Sequence, residues 1–117
     1  MQIEDRQKLL KYLYDALAAA ETIEIDTLGL SVNNYYFNNI KWIVERGIEI
    51  ISEALKRASA LNPDLPISNL NKIFATRNKI AHEYDIVDPN LLYAIVIKYI
   101  PVLIDELKDF IQKIDYE

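Results

Sequence analysis

Between residues 37 and 58 apolar side chains recur every three or four positions, as Phe37, Ile40, Val44, Ile48, Ile51, Leu55 and Ala58. That spacing is the 3.6-residue period of an α-helix with one buried face. Ile43, Gly47, Ile50, Ala54 and Leu61 form a second stripe beside the first. The predicted helix starts around 32–36 and runs to about Leu61, with an apolar face wider than one neighbouring helix requires. Two readings fit that width: a subunit interface, or burial on two sides within one bundle. Gly47 in mid-helix costs about 1 kcal/mol relative to alanine, which points to a close backbone approach there.

The rest of the chain fits around this helix. Leu10, Leu13, Leu17 and Ala20 give an amphipathic helix over residues 3–21. Thr22–Ser31, with β-branched residues, Asp26 and Gly29, reads as a connection. Pro63 and Pro66 end the second helix and stiffen the loop after it. Ser68 is the expected N-cap of a third helix that turns Leu70, Ile73, Phe74 and Ile80 inward. Asp88 and Pro89 read as N-cap and first residue of the last helix. Its stripe is Leu92, Ile95, Tyr99, Leu103, Leu107, Phe110 and Ile114, and Pro101 should kink it by freeing the carbonyl of Ile97. The expected fold is all-α, an up-down bundle of four main helices. With 117 residues the chain is one domain, 1–117.

Composition narrows the chemistry. There is no cysteine, so disulfides and thiolate catalysis are excluded. With one histidine, a zinc site would rest mainly on carboxylates, against the usual Cys and His donor set, and no metal or other cofactor is expected. The first residues lack the basic-then-apolar order of a signal peptide. The most apolar run, Leu91–Ile100, is interrupted by Tyr93, Lys98 and Tyr99 and falls short of the ~20 residues that span a bilayer. A cytoplasmic protein without a membrane partner is expected. The net charge of −5 has the wrong sign for a general nucleic-acid binder. Any RNA contact must come from a local patch, for which Lys72, Arg77 and Lys79, or Lys41, Arg46, Lys56 and Arg57, are the available cations; solvated faces are the plainer reading.

The only histidine, His82, lies in Arg77-Asn-Lys-Ile-Ala-His-Glu-Tyr84. Histidine titrates nearest neutral pH and can accept and donate a proton there. Arginine is permanently cationic, with a planar fork of donors suited to phosphate. A phenol adds a hydroxyl that can hydrogen-bond or be modified. Together they suit phosphodiester chemistry, with Arg77 and His82 as catalytic residues and Asn78 and Tyr84 supporting them. The plainer alternatives are a histidine capping a helix end, an arginine paired with Glu83 or Asp85, and a tyrosine that only packs. On one regular helix Arg77 and His82 point about 140° apart, so either the helix distorts or the site is assembled from two chains. Tyr35-Tyr36-Phe37 could stack on bases, though core and loop packing is the better reading.

The spacing Arg-x4-His-x-Tyr at Arg77, His82 and Tyr84 resembles the signature of the HEPN superfamily, closest to its HepT branch. Arg46–Arg57 resembles the long second helix of HepT proteins, and Asn62–Pro66 their following connection. The likeness covers roughly residues 40–112. Gly47 stands where the family usually has a polar residue, and Ser52 where it usually has glycine. The resemblance implies a HepT-like toxin of a HEPN/MNT toxin–antitoxin pair: a homodimeric, metal-independent RNA endonuclease whose motifs face each other. It also implies a nucleotidyltransferase antitoxin of the MntA type, which transfers AMP to the tyrosine at position 84. Requiring a 2′-hydroxyl, such an enzyme would leave DNA uncut. The alternative is a non-catalytic helical subunit that binds substrates or nucleotides for a nucleotidyltransferase.

Overall fold

The computed structural model describes residues 2–30, 35–83 and 88–115, and of 35–39 and 83 the backbone alone. Helices α1 (Ile3–Thr27), α2 (Tyr35–Leu61) and α3 (Leu70–Glu83) are followed by a fourth rod in three parts. These are α4 (Pro89–Ala94), a π-helical turn (Ile95–Tyr99) and α5 (Ile100–Asp115). The bundle is a slab of 47 × 29 × 18 Å. Its short dimension accommodates two layers of helices spaced by the usual 8–10 Å. The all-α bundle of four main helices is thus as expected.

Helix α2 is the hub. It packs on α1, α3 and α4, while α1 also packs on α5. Val44, Ile48, Ile51, Leu55 and Ala58 of its first stripe are all buried. Of the second stripe, Gly47 is buried against α1, Ala54 is buried, Ile43 and Leu61 are half-buried, and Ile50 is 39% exposed. Burial on two sides within one bundle therefore accounts for most of the wide apolar face. A Cβ on Gly47 would lie 2.6 Å from Cδ1 and 2.7 Å from Cγ1 of Ile23, which is the close approach its position foretold.

Helix α1 runs one and a half turns beyond the expected stop. Ile23 is 1% exposed, seated over Gly47, and this burial outweighs the modest helix penalty of a β-branched residue. The hydroxyls of Thr22 and Thr27 donate back to the carbonyls of Ala18 and Ile23, at 2.9 and 2.7 Å. The chain leaves the helix at Gly29, whose φ of 79° lies in the left-handed region that glycine adopts without penalty.

Asp88 and Pro89 behave as read: the Asp88 carboxylate accepts from the Asn90 N–H at 2.9 Å, with proline at the first helical position. Ser68 does not. The first helical bond of α3 ends on the carbonyl of Asn69, and Ser68 instead donates its N–H and hydroxyl to the Glu106 carboxylate at 3.0–3.2 Å. Charge-assisted bonds to a carboxylate are stronger than a neutral cap, which explains why Ser68 is drawn to α5. Leu65 and Ile67, both buried, anchor the same loop.

The disruption expected at Pro101 takes the form of a π-helical turn before it, where the Ile100 N–H reaches back five residues to the carbonyl of Ile95. A wider turn makes room for a ring that would otherwise strike the carbonyl four residues back. It also rotates the buried stripe by about one residue, some 100°. Past it Ile100, Ile104 and Ile111 are buried beside Leu103, Leu107 and Ile114, while Tyr99 and Phe110 are only half-buried.

Two substitutions in α2 test this packing. Gly47→Ala should fail to deliver the ~1 kcal/mol that helix propensity offers, because overpacking against Ile23 costs about 1–3 kcal/mol. A net loss of up to about 2 kcal/mol in urea unfolding is expected. Ser52→Ala should go the other way. The Ser52 hydroxyl is buried without a partner, and removing an unsatisfied group recovers on the order of 1 kcal/mol. A destabilised Ser52→Ala would mean that the hydroxyl is satisfied after all.

Candidate active site

Helix α3 carries the motif, and among the described residues it packs on α2 alone. Ile73, Thr76 and Ile80 turn into that contact, and the Thr76 hydroxyl is satisfied by the Lys72 carbonyl at 2.8 Å. The buried triplet at positions 73, 76 and 80 fixes the rotation of the helix, and hence where every motif side chain points. The helix is regular α through Glu83, so distortion near His82 is not what reconciles the two catalytic candidates.

Arg77 is half-buried on the flank of α3 that looks across the outer face of α2. Among the described residues it makes no hydrogen bond or ion pair. Asn78 and His82, four residues apart, share the outermost face and are exposed. The arrangement brings Asn78 and His82 together and sets Arg77 apart by the ~140° that helix geometry dictates. Tyr84 lies outside the described residues, as do the side chains of Tyr35, Tyr36 and Phe37.

Arg77 opens into a groove of about 680 Å³ that runs between α1 and α3 over the exposed face of α2. The floor is Ile43, Gly47, Ile50 and Ala54, with Trp42 standing 67% exposed at one end. The rim is charged: Arg46 pairs with Glu49 at 3.5 Å, Arg57 with Glu53 at 3.1 Å, and Lys11 with Asp15 at 2.8 Å. With Arg77 the groove holds four cations against three carboxylates, a local balance of +1 within a chain of −5.

Of the cations considered from sequence, Arg46, Arg57 and Arg77 converge here. Lys41 is instead paired with Glu45 at 3.5 Å, Lys56 lies 5.5 Å from the Phe74 ring centre, and Lys72 lies 5.9 Å from that of Tyr99. Lys11 and Trp42 were not foreseen. Lys11 reaches the groove only because α1 lies beside α2, which no local pattern reveals. Trp42 did carry a signal: it is the only tryptophan and falls outside both apolar stripes of α2. Among the described residues no three of His, Asp and Glu form a metal-binding cluster, and no helix is long and apolar enough to cross a membrane.

An all-α bundle that presents an arginine and a histidine from one regular helix fits a HEPN-type fold. A family model described as Ribonuclease HepT-like matches residues 17–114, most of the chain. The protein belongs to the HepT-like ribonuclease family. No curated protein and no solved structure was found to match it.

Proposed function

We propose that this protein is the toxin of a HEPN/MNT toxin–antitoxin pair, a cytoplasmic, metal-independent RNA endonuclease formed by two copies of a single domain, 1–117. The observation that carries the reading is the membership of the HepT-like ribonuclease family together with Arg77 and His82 on one undistorted helix. Cleaving RNA without a metal takes a base for the 2′-hydroxyl and an acid for the leaving 5′-oxygen. One chain has a single histidine. A two-fold dimer with α2 and α3 near its axis supplies two, His82 from each copy. One takes the proton of the 2′-hydroxyl as that oxygen attacks phosphorus, and the other protonates the departing oxygen. Arg77 stabilises the charge gathering on the phosphoryl oxygens, and Asn78, on the His82 face, orients the histidine or the sugar. The products are a 2′,3′-cyclic phosphate and a 5′-hydroxyl, and DNA is inert.

Control is assigned to Tyr84 and a nucleotidyltransferase antitoxin. The phenol oxygen attacks the α-phosphorus of a nucleoside triphosphate, pyrophosphate leaves, and AMP stays on Tyr84. The added phosphodiester anion lies two residues from His82 in the chain, where it competes with the substrate phosphate for Arg77.

The purified protein should cut single-stranded RNA in the presence of EDTA. His82→Ala should lower the rate by about 10²–10⁴-fold and Arg77→Ala by a similar order, with helicity unchanged in both. Cutting by both variants at the parent's rate, or loss of activity with the chelator, would sink the proposal; a chain that binds but never cuts RNA is instead the non-catalytic subunit. Light scattering should give a dimeric mass at micromolar concentration, and a monomer would remove the second histidine. After co-expression with the partner enzyme, intact mass should rise by one or more AMP units, and the rise should vanish in Tyr84→Phe. A neutralised but unmodified protein would shift the explanation to direct binding.

A further inference from the structure

We infer that the groove along the outer face of α2 is the track of the RNA strand flanking the scissile phosphate, with Trp42 as its base-stacking residue. The inference rests on Arg77 acting on RNA, as proposed above, and extends it to residues outside the motif. Arg77 opens into the groove and His82 does not. A phosphate gripped by Arg77 therefore sits at the groove's edge, and the strand on one side of it must run through the concavity. Along α2 from Trp42 to Arg57 the track spans about 22 Å, at 1.5 Å per residue.

What the groove offers along that length is what a single strand needs. Sequence-tolerant binders combine a cationic groove with aromatic faces on which bases stack. Trp42 presents an exposed indole beside Arg46, and Arg77 has no competing partner among the described residues. Arg46 and Arg57 are held only by exposed ion pairs, of the kind worth little in water, so a phosphate can displace Glu49 and Glu53. A second copy of the chain is the rival occupant, since apolar floor and paired rim would suit an interface. It is disfavoured because it would bury Arg77, a cation that pairs with no described residue and that a phosphate would neutralise.

Trp42 is the only tryptophan in the chain, so its emission reports on this groove alone. The probe is a short single-stranded RNA oligonucleotide, 2′-O-methylated throughout so that it cannot be cut, added to the full-length protein. Trp42 fluorescence should be quenched on binding, and the affinity should fall as salt rises. Trp42→Ala should weaken binding roughly five- to a hundredfold while Trp42→Phe, which keeps an aromatic face, restores most of it. On cleavable RNA the same loss should appear mainly in KM. Full binding by anisotropy with unchanged Trp42 emission overturns the inference. So does a Trp42→Ala variant that drops from dimer to monomer, which would make the groove the seat of a second copy. If Trp42→Ala cuts RNA with an unaltered KM, the groove assignment fails and the ribonuclease reading stands. If the wild type never cuts RNA yet the oligonucleotide quenches Trp42, the reverse holds.

Discussion

The bundle depends on how closely α1 can approach α2. The contact is made by subtraction: Gly47 presents no side chain, and Ile23 occupies the space where a Cβ would be. The same contact holds the last turns of α1 helical. It also aligns α1 so that its polar flank forms the second wall of the groove, with Lys11 and Asp15 among the residues that line it. A glycine that weakens the helix locally by about 1 kcal/mol thereby determines the shape of a surface more than two turns long.

The motif helix is attached differently. α3 leans on α2 through a narrow ridge of Ile73, Thr76 and Ile80, and its leading end is tied to α5 by the Ser68–Glu106 bonds. Arg77 is restrained by the α2 side of that mount, whereas His82 stands free of it in the last turn. For the acid–base role proposed for His82, freedom on the outer face is useful. For the phosphate-binding role proposed for Arg77, a restrained flank lowers the entropy lost on binding.

Where buried residues recur at helical spacing, the sequence was sufficient. The extent of α2, the Asp88–Pro89 start and the need for close approach at Gly47 all follow from local pattern. At α1 and at Ser68 the failures have one cause, which is that distant contacts outweighed local preference. Thr22 and Ile23 look like helix breakers until Ile23 finds Gly47. Ser68 looks like a cap until Glu106, 38 residues away, claims it. The angular separation of Arg77 and His82 was legible from counting residues. The groove was not, because its walls belong to three helices, and the one clue was a tryptophan lying off both stripes of its helix.

The π-helical turn at Ile95–Tyr99 can be read as a change in chain length. One residue more than an α-helix needs has been taken up without breaking the rod, and the apolar stripe resumes one position later on the far side. Ile97, 52% exposed, lies on the bulge where the surplus is carried. The stretch just before Pro101 is therefore where the rod carries one residue beyond the α-helical count. Its removal would return the rod to plain α geometry with both halves of the stripe still facing the core, at the cost of bringing the proline ring hard against the preceding turn. Proline and surplus residue compensate each other, and neither is expected to change alone.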